Sequence, residues 1–150
     1  HIKDWTQTPQ MASPEIIKAL LPILVRAEFP FVAVNLCNAD MLGHTGNIAA
    51  TIKGIECLDQ CLRELITAAK QRGYSTVITA DHGNAEEMYI PDLQSTHTAH
   101  TLNKVPCILI GDRSQLRLKA AGTLSNIAPT ILELLNLPKP KEMTMPSLLI

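Results

Sequence analysis

The 150 residues are 46% hydrophobic, 18% charged and 3% aromatic. This apolar content excludes a chain disordered throughout, and the length suits one domain that, when complete, buries roughly 70% of its unfolded surface. Thirteen Lys and Arg against fourteen Asp and Glu leave a formal charge of -1, with two Phe, one Trp and two Tyr. A nucleic-acid partner is therefore not expected, since the chain lacks both a basic excess and a set of stacking platforms. No apolar run reaches the ~18 residues of a membrane span, so no membrane partner is expected either. No charged-then-apolar leader opens the chain, and a start at His1 rather than Met reads as a piece of something longer or a processed product.

The first ten residues are polar and without period. Ser13, Pro14 and Glu15 then read as a helix start, with a capping hydroxyl, a pre-set φ and an acid in the first turn. That helix runs on through IIKALLPILVRA, where Pro22 is expected to kink or interrupt it. Residues 31–36, FVAVNL, form a short apolar run of the kind buried on both faces of a sheet. After a polar stretch, a long helix begins near Asn47. Ile48, Ile52, Ile55, Leu58, Leu62, Leu65, Ile66 and Ala69 make one apolar stripe, and Gly73 is placed to end it. Residues 75–80 form the next strand, so strand, helix and strand predict a right-handed βαβ unit with parallel strands. A long polar connection leads to a third strand at VPCILI, then to an amphipathic helix near residues 126–135 and a Pro-rich tail. The class is α/β, with a sheet thin enough to imply missing neighbours.

Cys57 and Cys61 lie four apart on one helix, and Cys37 and Cys107 adjoin apolar runs. All four read as small core residues in a reducing compartment, which points to the cytoplasm; no CxxC suggests redox chemistry. Ser75, Ser95 and Ser125 lack a strand–GxSxG–helix setting, and neither GxxxxGK[ST] nor GxGxxG occurs. Lys139, Lys141 and Glu142 read as solvated charges.

The chemistry-bearing residues gather in three loops beside the strands. Asp40 and His44 follow the first strand, Asp81 and His82 follow the second, and His97 and His100 precede the third. In a parallel sheet ligands bind at the carboxyl ends of the strands, the edge the first two pairs occupy. Asp and His without thiolates suit Mn²⁺ or Zn²⁺. Gly43, Gly46 and Gly83 allow tight backbone paths around these side chains. Each pair alone reads as a turn or surface feature; their coincidence in three loops points to a metal site.

NADMLGHTG (residues 38–46), TADHGNAEEM (79–88) and THTAHT (96–101) resemble the signature segments of cofactor-independent (2,3-bisphosphoglycerate-independent) phosphoglycerate mutase. So do Val105–Pro106, APTILELL (128–135) and PKEMT (140–144), in the same order and at similar spacing. The resemblance implies an alkaline-phosphatase-like three-layer α/β sandwich with a mainly parallel sheet, incomplete here. It implies an isomerase of glycolysis and gluconeogenesis that interconverts 3-phosphoglycerate and 2-phosphoglycerate. That family binds two Mn²⁺ ions in a phosphatase domain, into which a phosphotransferase domain is inserted. Asp40, His44 and His100 match the ligands of one ion, and Asp81 and His82 match part of the shell of the second. His97 matches a neighbour rather than a ligand. A serine activated by metal coordination takes the phosphoryl group and returns it to the other hydroxyl.

The family's nucleophilic serine, a further aspartate ligand, the catalytic lysine and the substrate-holding arginines belong to segments with no counterpart in these residues. Residues 1–150 thus resemble the C-terminal part of the phosphatase domain. No catalytic residue is expected among them, and the isolated chain is expected to be inactive, with one metal site complete. An unpaired sheet edge would favour self-association. Alternatives are another member of the superfamily, such as a phosphopentomutase or a phosphodiesterase, or a non-catalytic interaction module. The PKEMT tail and the NxDMxGHTG loop favour the mutase.

Overall fold

A computed structural model describes residues 4–111 and 117–150. The main elements are α1 (Ser13–Arg26), α2 (Asn38–Gly43), α3 (Ile48–Gln71), β1 (Thr76–Thr79), β2 (Tyr89–Ile90), β3 (Ser95–Thr96), β4 (Cys107–Ile110) and α4 (Ile127–Leu134). Helices and short paired strands follow one another along the chain, an α/β organisation. The polar opening carries a 3₁₀ turn at Trp5–Gln7, capped by Asp4, whose side chain accepts from the Thr6 amide; its first three residues lie outside the described ones.

α1 starts at the predicted place but not by the predicted cap. Ser13 is already helical, and Ala12 precedes it without a side-chain cap. The buried Ser13 hydroxyl instead donates to Asn38 Oδ1 across 25 residues of sequence. The helix runs through Pro22 to Arg26 and closes on Ala27 at φ 51°. α3 opens on Asn47, whose side chain accepts from the Ala50 amide at 3.0 Å, and Gly73 follows its end at φ +73°.

The α1–α3 contact holds the main core, in which Ile17 and Leu24 meet Cys61, Leu65 and Ala69. The apolar stripe of α3 divides at its midpoint. Leu65 and Ala69 are buried, whereas Ile48, Ile52 and Ile55 are exposed, and Ala50, Thr51 and Gly54 form the buried face there. Periodicity shows which residues suit burial, but a neighbour must be present to bury them.

α2 is only six residues long, too short to be stable by itself. It is held from its inner face. Leu42 is fully buried, and a Cβ on Gly54 would lie 2.2 Å from Leu42 Cδ1 and 3.2 Å from the Pro9 carbonyl oxygen. Asn38, also fully buried, donates to the carbonyls of Pro9 (2.8 Å) and Gln10 (2.9 Å).

The strands differ most from the sequence reading. Residues 31–36 form no ladder among the described residues. Phe31 and Val34 are exposed, and only Val32 and Leu36 lean on the α1–α3 core. The parallel pairing expected between this run and β1 is therefore not formed there. β1 pairs instead with β4, antiparallel, with Thr76 opposite Ile110 and Thr79 opposite Cys107; β2 and β3 form a separate antiparallel hairpin. A run suited to burial on both faces needs strands on both sides, and the described residues place none beside it.

Two smaller expectations also change. Cys37 is exposed, and Cys57 and Cys107 are half-buried, so of the four only Cys61 is a core residue. Burial, and then the neighbouring Cys57, pushes the Cys61 thiol up to about 11. Lys139 is not simply solvated, because its ammonium donates to the carbonyls of Met143 and Met145 and folds the tail. Leu148 is buried, its amide donating to Thr130 Oγ1 at 2.9 Å, and the last residues pair back on Leu118.

Gly54→Ala gains about 1 kcal/mol of helix propensity but forces Leu42 or Pro9 aside, a strain of about 1–3 kcal/mol. We expect net destabilisation in urea unfolding. In a Leu42→Ala background, itself costing about 2–5 kcal/mol, the same change should be neutral or stabilising. Equal effects in both backgrounds would show that the α2–α3 contact is not what holds this helix.

Candidate metal centre

Asp40 and His44 are four apart, so the last turn of α2 projects both from one face. Leu42 and Asn38 hold the opposite side against the core, which leaves that face toward the loop carrying His100. Asp40 Oδ1 lies 3.2 Å from His44 Nε2 and 3.2 Å from His100 Nε2, and the two imidazole nitrogens are 3.1 Å apart. One ligand atom from each residue falls within 4.8 Å of the others. Two of the three predicted loops thus meet through Asp40, His44 and His100.

The ring tautomers suit a ligand role. His44 Nδ1 lies 2.6 Å from the Thr98 carbonyl, which can only accept. Nδ1 therefore carries a proton, the tautomer in which Nε2 is the nitrogen free to bind an ion at the cluster. Donors about 3 Å apart match adjacent corners around an ion bound at about 2.0–2.2 Å. Without a proton or a cation between them, three electron-rich atoms would face one another at these distances. The donor set fits a hard or borderline divalent ion.

The third loop is only partly brought in. The His82 ring stacks on His100 with centroids 3.6 Å apart, and its Nε2 stands 3.9 Å from Asp40 Oδ1. Asp81 turns outward with its side chain 86% exposed, 3.6 Å from His82 Nε2. His82 and Asp81 border a cavity of about 420 Å³ that Thr79, Asn103, Lys104 and Lys119 also line. His97 is engaged elsewhere. Its amide donates to the Met88 carbonyl and its Nδ1 to the Glu87 carbonyl, which closes the β2–β3 hairpin.

A second layer links the loops. Asn84 Nδ2 donates to Asp40 Oδ1 at 2.9 Å, and the Asn84 amide donates to Glu86 Oε2 at 2.7 Å. Glu86 Oε1 accepts from the Thr101 hydroxyl and from Asn103 Nδ2. The Thr101 amide donates to the Gly83 carbonyl at 2.8 Å. The Thr101 hydroxyl, helped by the Asn103 and Asn84 donors, holds the Glu86 carboxyl down to about 2 against a smaller opposing effect of burial.

Residues 2–139 match the family model described as the metalloenzyme superfamily. The chain belongs to that superfamily. It is 44% identical over 146 residues to the 2,3-bisphosphoglycerate-independent phosphoglycerate mutase of Chloroflexus aggregans, covering 95% of this chain and 27% of that protein. It is 46% identical over 148 residues to the enzyme of the same name from Ehrlichia ruminantium, covering 99% and 29%. A crystal structure of Leishmania mexicana phosphoglycerate mutase, determined at low cobalt concentration, superposes with a TM-score of 0.90 at 29% identity, over all of this chain and 30% of that one. The resemblance read from the signature segments is thus borne out, and with it an alkaline-phosphatase-like α/β fold. The chain spans less than a third of the length of the curated relatives it matches.

Asn84, Glu86 and Asn103 were not singled out in the sequence. Asn84 and Glu86 lie within the DHGNAE segment, but only its Asp-His pair carries a recognisable ligand signal.

A depressed carboxyl stabilises the fold fully above the ordinary glutamate range, near 4.3, and the contribution disappears as pH falls toward about 2. Glu86→Gln should therefore lower the thermal midpoint at pH 7, by a margin that shrinks between pH 4.5 and 2. A margin unchanged with pH would show that the Glu86 charge is not what holds these loops.

Proposed function

We propose that the chain is the C-terminal part of the metal-binding phosphatase domain of a phosphoglycerate mutase, the cytoplasmic isomerase that interconverts 3-phosphoglycerate and 2-phosphoglycerate in glycolysis and gluconeogenesis. The observation that carries the reading is the convergence of Asp40, His44 and His100 within a chain similar to such mutases over nearly its whole length. In this reading those three hold one Mn²⁺, with Zn²⁺ the competing ion. Asp81 and His82 hold part of a second, whose remaining ligands come from sequence the longer relatives possess.

A bound ion would supply Lewis-acid neutralisation of phosphoryl oxygens and activation of a serine outside this chain. The chain's own residues supply the cage. α2 presents Asp40 and His44 together, the Thr98 carbonyl sets the His44 tautomer, and stacking on His82 limits rotation of His100. The outward carboxylate of Asp81 stands at the mouth of the cavity, where a second ion and a phosphorylated glycerate would enter. No helix among the described residues is long and apolar enough to cross a membrane, and the phosphorylated substrates of this reading are solutes of the cytoplasm.

Calorimetric titration of the metal-stripped chain with Mn²⁺ should show one site per chain, lost in both Asp40→Ala and His100→Ala. Absence of binding by the unsubstituted chain would sink this ligand assignment for the chain. A coupled assay should detect no conversion of 3-phosphoglycerate by the chain alone; turnover would refute the reading that the serine comes from elsewhere.

We also propose that the chain self-associates through residues 31–36 and the open edge of β1. The support is that Phe31 and Val34 are exposed and that, among the described residues, β1 is paired on one side only. Light scattering should show mass rising with concentration; a monomer at every concentration would count against it.

A further inference from the structure

Resting on the metal reading above, we propose that Asn84 and Glu86 are positioning residues that assemble the metal cage before an ion arrives. Asn84 sets the Asp40 carboxylate, and Glu86 locks the Asn84 loop to the loop that carries His100.

Asn84 is 4% exposed, and its amide nitrogen faces two acceptors of one residue, Asp40 Oδ1 at 2.9 Å and the Asp40 carbonyl at 3.4 Å. Because both can only accept, the Nδ2 end must point to them. Asn84 Oδ1 is left buried and without a partner. A residue serving only to fill space would not leave a polar atom unpaired; the amide is used here for its donor. The side chain is also wedged in place, since a Cβ on Gly43 would lie 2.2 Å from Asn84 Oδ1. Asn84 therefore touches the backbone and the ligand side chain of α2 at once, and fixes the rotation of the carboxylate that both imidazoles approach.

Glu86 extends the connection. One carboxylate oxygen accepts from the Asn84 backbone N–H, and the other from the hydroxyl of Thr101, which directly follows His100, and from Asn103 Nδ2. A Cβ on Gly83 would lie 2.3 Å from Thr101 Oγ1 and 2.4 Å from Glu86 Oε1, so glycine is required where these loops cross. The route runs from Asp40 to the Asn84 side chain, on through the Asn84 backbone N–H to Glu86, and then to Thr101, joining the three ligand-bearing segments through residues that are not themselves ligands. Partners of this kind orient ligands and tune their affinity.

The test is Mn²⁺ calorimetry on the chain and on Asn84→Ala, Glu86→Ala and the double variant, with the visible absorption of bound Co²⁺ as a second readout. Each single variant should bind Mn²⁺ roughly 10–100-fold more weakly and shift the Co²⁺ bands, with far-ultraviolet circular dichroism unchanged. The double variant should be clearly less impaired than the product of the singles, because both act along one route. Glu86 is exposed, so Glu86→Ala decides the question even where Asn84→Ala fails to fold. Binding and spectra equal to those of the unsubstituted chain would overturn the positioning roles and leave the metal reading intact. Failure of the unsubstituted chain to bind either ion would overturn both.

Discussion

The site depends on how a six-residue helix is held. α2 has too few intrahelical bonds to persist in water, and the two side chains it offers to a metal are polar and point away from the core. Its stability comes from the opposite face, where Leu42 is fully buried over a glycine and Asn38 replaces lost water with three hydrogen bonds, two to carbonyls and one from Ser13. Those bonds connect α2 to the start of α1 and the loop before it. The orientation of Asp40 and His44 is thus set by residues that carry no metal chemistry.

That arrangement brings one carboxylate and two imidazoles together at separations near 3 Å. Such a grouping is unfavourable unless protons or a cation lie between the donors, and the surrounding hydrogen bonds prevent it from relaxing. Thr98 restrains His44, His82 stacks against His100, and Asn84 bonds Asp40. The restraints come from two loops, Thr98 from one and His82 and Asn84 from the other, so the cluster is a property of the tertiary fold rather than of any one segment.

How much of this could be read in advance follows from the range of each signal. Helices α1 and α3 were legible because their periodicity and end signals are local, and Asn47 and Gly73 act where the pattern placed them. The stripe of α3 was legible as apolar but not as buried, because burial of Ile48, Ile52 and Ile55 depends on a partner that no local pattern specifies. For the same reason residues 31–36 read as a doubly buried strand yet form no ladder. Ser13 shows the opposite case, where a strong capping residue is drawn into a contact with Asn38 that no short-range rule anticipates. At the site, Asp40, His44 and His100 stood out by type and by resemblance. Asn84 and Glu86 were invisible because an Asn or a Glu gains its meaning only from what it touches.

The two halves of the site differ in a way that matches the rest of the molecule. Asp40, His44 and His100 are partly open to solvent but braced by Asn84, Thr98 and His82. Asp81 leaves the end of β1 with its carboxylate in solvent, above a cavity walled on one side by Lys104 and Lys119. β1 has a ladder partner on one edge only, and the exposed apolar residues 31 and 34 lie in the run expected beside it. Among the described residues, an open strand edge and Asp81, which the proposed reading gives to a second ligand shell, meet at one strand. A segment that paired with β1 would cover apolar surface and complete the backbone ladder. It would also bring side chains to the end of β1, where, in the proposed reading, Asp81 and His82 begin a second set of ligands. On the proposed reading, sheet completion and completion of the second metal shell are one structural event, so metal occupancy at Asp81 should follow the state of that edge.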